Sequence, residues 1–177
     1  MRPSRIVPTA AVLIAVALGG GVAAAAPNDK ATVEPPGVQT FPIPDRHHVQ
    51  GTVDYPQNPP VGGPHNPVWQ NCGFYSHPVT NENAVHSLEH GVVWITYAPD
   101  LPAAAVTTLR SLATQPHLLI SAYVGLPSPV VASAWGKQLQ LDDATDPRLQ
   151  AFVDAFSFGQ QAPEPHGPCE RGVGDPD

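Results

Sequence analysis

Val85-His86-Ser87-Leu88-Glu89-His90-Gly91 concentrates more ionisable chemistry than any other stretch of the chain. On a helix, His86 and His90 stand at i and i+4, so both imidazoles reach one point about a turn out from the backbone, a spacing that suits a transition metal. Zinc or copper then needs one or two further donors. His65 in a Pro-rich loop and Cys72 shortly after it are the candidates, and both zinc and copper accept nitrogen and sulfur ligands. Glu82 and Glu89 can orient a ring N–H from behind. Met1 is the only methionine, which argues against a Met-rich copper carrier. The string also reads H-x-x-E-H, the inverted zinc-peptidase pattern, with Glu89 as the base that activates water. That pattern is short, and the class needs a further acidic ligand and a large cleft, so Glu89 is a weak catalytic candidate. Each histidine has a plain alternative. One near a helix C-terminus gains from the macrodipole, and His65 can fix its loop through a backbone carbonyl.

The same stretch predicts the elements that hold it. Asn81 or Asn83 caps a short helix through Glu89, and Gly91 sits where a C-terminal glycine belongs. Val85, Leu88 and Val92 form an apolar side; Glu82, His86, Glu89 and His90 form a polar one. Val92 to Tyr97 is a continuous apolar strand, suited to a central position. Upstream, Val49, Gly51, Val53 and Tyr55 alternate onto one face, which predicts a first strand beginning at His47-His48. Only one of those two histidines can serve a given site, since neighbours on a strand face opposite ways. Residues 56–67 hold five prolines and Gly62-Gly63 and form a long loop, a common home for function.

Asp100 and Pro102 open the next helix, with Leu101, Ala105, Leu109 and Leu112 as its buried stripe. Leu118 to Val124 is a strand, and the strand–helix–strand order predicts a parallel crossover. Val130 to Trp135, extending toward Leu141, is a fourth strand, antiparallel after the Pro127–Pro129 turn. Asp146-Pro147 opens a last helix with Leu149, Phe152, Val153 and Phe156 facing the core. The expected class is α+β, a mixed α/β layered sandwich with a small mixed sheet of about four strands and about three helices.

The chain has 177 residues and a net charge of −7, and no basic patch invites nucleic acid. Residues 1–26 carry Arg2 and Arg5, an apolar stretch and Ala-rich cleavage options, and read as a signal peptide or an N-terminal anchor. Residues 27–44 read as a Pro-rich linker, and 45–177 as one globular domain with a Pro-rich tail. The expected location is therefore secreted or cell-envelope, with membrane contact only through that anchor, and the expected partner is a metal ion or an envelope protein. Two cysteines in an exported chain suggest a disulfide, Cys72–Cys169. A bridged Cys72 cannot ligate a metal, so these two readings compete. Neither cysteine sits in a C-x-x-C pair, so thiol–disulfide exchange has no support in the sequence. With the bridge, the chain also reads as a structural or interaction domain without a metal.

Several segments resemble an uncharacterised family of bacterial domains. They are His48 to Tyr55, Pro59 to Trp69, Cys72-Gly73 with Tyr75, and Val85 to Tyr97, and the V-H-S-L-E-H-G string is the most specific. The resemblance spans about residues 45–170. It implies a single exported or membrane-anchored domain, many members coming from actinobacteria, and it assigns no catalytic residue.

Overall fold

The computed structural model describes residues 33–177. The signal-peptide or anchor segment lies outside the described residues. Among these residues no helix is long and apolar enough to cross a membrane.

Six strands form one mixed sheet in the order β1-β6-β5-β3-β4-β2. They are β1 (Gln39–Thr40), β2 (Gly73–Tyr75), β3 (Val93–Tyr97), β4 (Leu118–Ala122), β5 (Val130–Ala134) and β6 (Lys137–Leu141). Three helices complete the set: α1 (Asn81–Glu89), α2 (Ala103–Leu112) and α3 (Pro147–Phe156). β3 and β4 pair in parallel across the α2 crossover, while β5 runs antiparallel to both β3 and β6. Every residue of β3, β4 and β5 is buried, because layers cover both faces of the sheet. That is why these strands read as unbroken apolar runs. Val93, Ile95, Leu118, Ile120, Val130 and Leu139 face α2 and α3. Trp94 and Leu119 face the opposite way, toward Val85 and Leu88 of α1.

The α+β class holds, with six strands in place of about four. The run from Val130 to Leu141 is two strands joined by a tight turn at Trp135-Gly136. Gly136 has φ of +68°, and a Cβ there would press on the Phe41 carbonyl. β1 and β2 are too short to carry a period. Part of the expected linker is thus built into the sheet, since Gln39 and Thr40 pair with β6. The predicted first strand is absent. Residues 47–55 make only an isolated bridge, His48 to His65, because their backbone turns toward the polar side of α1, where Val53 N–H donates to Glu82 Oε1 at 2.8 Å.

α3 matches its sequence. The Asp146 side chain accepts from Arg148 N–H as the N-cap, and Leu149, Phe152, Val153 and Phe156 are buried. α2 is capped at Pro102, not Asp100, with no side-chain cap bond. Of its stripe Leu109 is fully buried, and Leu101, Ala105 and Leu112 pack half-covered against the core. Phe152→Ala should lower stability by about 3–5 kcal/mol in urea denaturation, because it empties a fully enclosed ring site. Thr107→Ala, on the exposed face of α2, should change stability by less than about 0.5 kcal/mol.

Candidate functional site: a histidine cluster on a helix buried on both sides

α1 runs from Thr80, which caps it without a side-chain bond, to His90 and Gly91. Gly91 takes φ of +84°, and its carbonyl accepts from Phe158 N–H, so the turn out of the helix also docks the start of the C-terminal tail. The apolar side of α1 packs under the sheet as expected. The polar side is buried as well: Glu82, His86, Glu89 and His90 are each 7% exposed or less. Residues 45–70 and the tail cover it. Asn66 N–H donates to Glu82 O, Gln70 N–H to Asn83 O, and Glu164 N–H to Glu89 O. Ser87 Oγ accepts from Gln70 N–H and donates to Gln70 O.

Three imidazoles are oriented the same way. His65 Nδ1 lies 2.8 Å from Gly63 O, His86 Nδ1 2.7 Å from Asn66 O, and His90 Nδ1 2.8 Å from Pro168 O. A carbonyl oxygen only accepts, so each Nδ1 carries a proton, and each neutral ring leaves Nε2 bare. Those Nε2 atoms turn inward. His86 Nε2 and His90 Nε2 are 3.1 Å apart, and His65 Nε2 is 3.0 Å from Glu89 Oε2. The other Glu89 oxygen accepts from Arg46 Nη1 at 3.0 Å. His48 completes the group from the solvent side. Its exposed ring stacks on His86, with centroids 5.0 Å apart and planes at 15°, and meets His65 edge-on at the same distance. One donor atom from each of His48, His65, His86 and Glu89 lies within 4.8 Å of the others. The indole of Trp69 leans on both His86 and His90 and donates Nε1–H to Glu170 O.

Burial is the main cause that pushes the His86 pKa down to about 4, and the neighbouring His90 and His65 add to it. His86 is therefore neutral near pH 7, with a bare Nε2 that accepts a proton or a metal.

The structure gathers His48, His65, His86 and Glu89 into one group of donors, with His90 beside it against His86. Cys72 is not among the donors: it is joined to Cys169, with Cα atoms 5.3 Å apart, and the competition resolves in favour of the bridge. Glu82 does not orient a histidine either. It lies toward the start of the helix and accepts from Val53 N–H, while backbone carbonyls take the ring protons. Of the two adjacent histidines, His48 joins the cluster and His47 pairs with Asp45 in solvent. Arg46 escapes sequence reasoning, since nothing marks a lone arginine beside a Pro-rich segment as the partner of a buried glutamate 43 positions on. Two aromatic neighbours, Trp69 and Trp135, wall the cluster.

Without a bound ion, the unfolded chain, where His86 titrates near its ordinary value, binds more protons than the folded one between about pH 6.5 and 4. Stability should therefore fall as pH drops through that window. Urea midpoints measured across it should fall less steeply for His86→Gln than for the parent chain.

No curated protein and no solved structure matches the chain. A family model described as a protein of unknown function (DUF3105) matches residues 48–171, which hold His48, His65, His86, Glu89, His90 and both cysteines, and the chain belongs to that family.

Proposed function

We propose that this domain binds a divalent transition metal, copper or zinc, outside the cytoplasm, and that it holds or hands on the ion rather than catalysing a reaction. One observation carries the reading: three buried imidazoles have their Nδ1 protons tied to backbone carbonyls, so in the neutral tautomer the Nε2 atoms of His86 and His90 turn lone pairs on each other and that of His65 turns one on a carboxylate. Two bare nitrogens 3.1 Å apart, or a bare nitrogen 3.0 Å from a carboxylate oxygen, repel unless a cation lies between them. Those separations are close to the edge of a tetrahedron of donors, about 3.3 Å, around an ion with bonds of about 2.0–2.1 Å. The carbonyls play the part of outer partners that fix the tautomer of a metal-bound histidine.

The donor set fits the ion class. Imidazole suits zinc and copper, and with both cysteines bridged no thiolate favours copper(I). His65, His86 and Glu89 supply enclosed donors, His48 adds one open to solvent, and His90 adjoins the group through His86 Nε2 at 3.1 Å. An exposed ligand is the one that can leave for an incoming acceptor, which supports transfer. A disulfide persists in oxidising compartments, and the signal-like N-terminus points the same way. A hydrolase is less well supported. Both Glu89 oxygens are engaged, by Arg46 and His65, so the carboxylate is not free to take a proton from water. A cleft of about 560 Å³ lies by the disulfide, and Glu89 is not among the residues that line it.

A second reading has its own support. Among the described residues no buried side-chain nitrogen or oxygen lacks a hydrogen-bond partner. Protons on His65 and His90 would satisfy the same contacts that an ion would, and the domain would then be structural, stapled by Cys72–Cys169.

Elemental mass spectrometry on the untagged full chain, beside His86→Ala/His90→Ala, separates these readings. The metal reading expects about one zinc or copper per chain, lost in the variant. No metal in the parent chain after loading with both ions leaves the structural reading. His48→Ala should bind the same ion more weakly, in a competition titration, with an unchanged urea midpoint, because its ring is exposed.

A further inference from the structure

The disulfide is not a remote staple. It connects directly to the walls of the histidine cluster. Pro168, just before Cys169, gives its carbonyl to His90 Nδ1 at 2.8 Å, and Glu170, just after it, gives its carbonyl to Trp69 Nε1 at 3.2 Å. Cys72 N–H donates to Cys169 O at 2.8 Å, and Trp69 O accepts from Val173 N–H at 2.9 Å. Gly167 lies so close to the His90 ring that a Cβ there would overlap it. Residues 171–177 are tied separately to residues 69–76, with Gly172 N–H on Asn71 Oδ1, Val173 N–H on Trp69 O and Asp177 N–H on Phe74 O, while residues 163–170 have Glu164 N–H on Glu89 O and the Gly167 carbonyl beside His117 Nε2. Beyond Gly159 the tail has no helix or strand, and from Pro163 onward every residue is half or fully exposed. Such a segment belongs to the low-stability end of a fold, where local opening is easiest. Both cysteines are only half-buried and line the cleft of about 560 Å³, together with Pro116, His117 and Arg171. A thiol can approach from there.

We propose that Cys72–Cys169 is a thiol-exchange site, reached through this cleft by a dithiol oxidoreductase, and that opening it weakens the metal site through His90 and Trp69. The proposal rests on the metal-binding reading above. A thiolate of the partner attacks one sulfur of the bridge. The S–S bond breaks, a mixed disulfide forms, and the other cysteine leaves as a thiolate that takes up a proton. The partner's second thiolate then attacks the mixed disulfide. Cys72 and Cys169 end as thiols, and the partner, oxidised by two electrons, ends as a disulfide. The metal keeps its oxidation state. The segment that carries the Pro168 carbonyl on His90 and the Glu170 carbonyl on Trp69 then loses the covalent tie to residue 72 that lies between them, and those two contacts loosen. Loss of such an outer partner weakens metal binding by roughly 10–100-fold. Oxidation would favour retention of the ion and reduction its release.

The test is a zinc(II) titration of the full chain against a chromophoric chelator. It uses the oxidised protein, the protein reduced with a trialkylphosphine, Cys72→Ser/Cys169→Ser, and His90→Ala in both redox states. The expected result is affinity lowered by roughly 10–100-fold in the reduced protein and in the serine variant. His90→Ala should be weaker from the outset and respond less to reduction than the parent chain does. Equal affinity in the oxidised and reduced parent chain, with zinc bound in both, overturns the redox proposal alone. Neither zinc nor copper bound by the oxidised protein, after loading with each, overturns the metal reading and the proposal with it. Loss of the far-UV helical signal on reduction also overturns it, since the change would then be global rather than confined to the tail. So does a bridge that a dithiol oxidoreductase leaves closed in the folded protein, as read by mass after thiol alkylation.

Discussion

The structure depends on one constraint: α1 is buried on both sides, and one of those sides carries ionisable groups. Polar atoms taken from water must find partners inside the protein. For Glu82, Glu89, His86 and His90 the partners cannot come from the sheet, which lies on the other side of the helix. They come from irregular chain. This gives the proline content a physical role. Proline has a carbonyl but no N–H, so a Pro-rich segment presents more acceptors than donors. The carbonyls that hold the three ring protons are those of Gly63 and Asn66, each followed by a proline, and of Pro168 itself. The loops that look structureless in the sequence are an acceptor lining matched to a row of imidazole donors.

The legible parts of the chain were those written locally. α1, β3, β4 and α3 each announce themselves within a dozen residues, through periodicity or a cap such as Asp146-Pro147. The histidine pair was readable for the same reason, because i and i+4 on one helix fixes its geometry. His65 was found through its type and its place in a conspicuous loop, and the bridge through an even cysteine count. What stayed hidden depends on contacts between distant, irregular segments. The alternation from Val49 to Tyr55 suggested a strand, yet in the structure this segment pairs with the loop at His65 and with Glu82. The chain signals nothing about Arg46 reaching Glu89, or about His48 stacking on His86, because neither pairing follows from a local period. β1 and β2, of two and three residues, are edge pairings set by what lies beside them.

The cluster is also mechanically asymmetric. His86, Glu89 and His90 stand on a helix whose apolar side is locked against Trp94 and Leu119. Their partners ride on loops. His65 lies between, on irregular chain but fully enclosed. His48 and Arg46 sit at the rim, where Arg46 is 56% exposed and Glu89 nearly covered. A rigid floor with a looser roof suits a site that must hold a ligand and also part with it. Sites built on regular elements keep their geometry, and surface segments supply the movement.

The spread of the cluster along the chain has a further consequence. Its contacts begin at Arg46 and end at Pro168, so the first and last parts of the domain meet over the same helix. A chain emerging from a ribosome or a translocation pore in N-to-C order can form α1 and present His86 and His90 early. It cannot fix the His90 ring until residue 168 has arrived. The finished pocket is therefore a product of the whole domain, and on the proposed metal reading an ion enters it only after residue 168 is in place, in whichever compartment folding is completed.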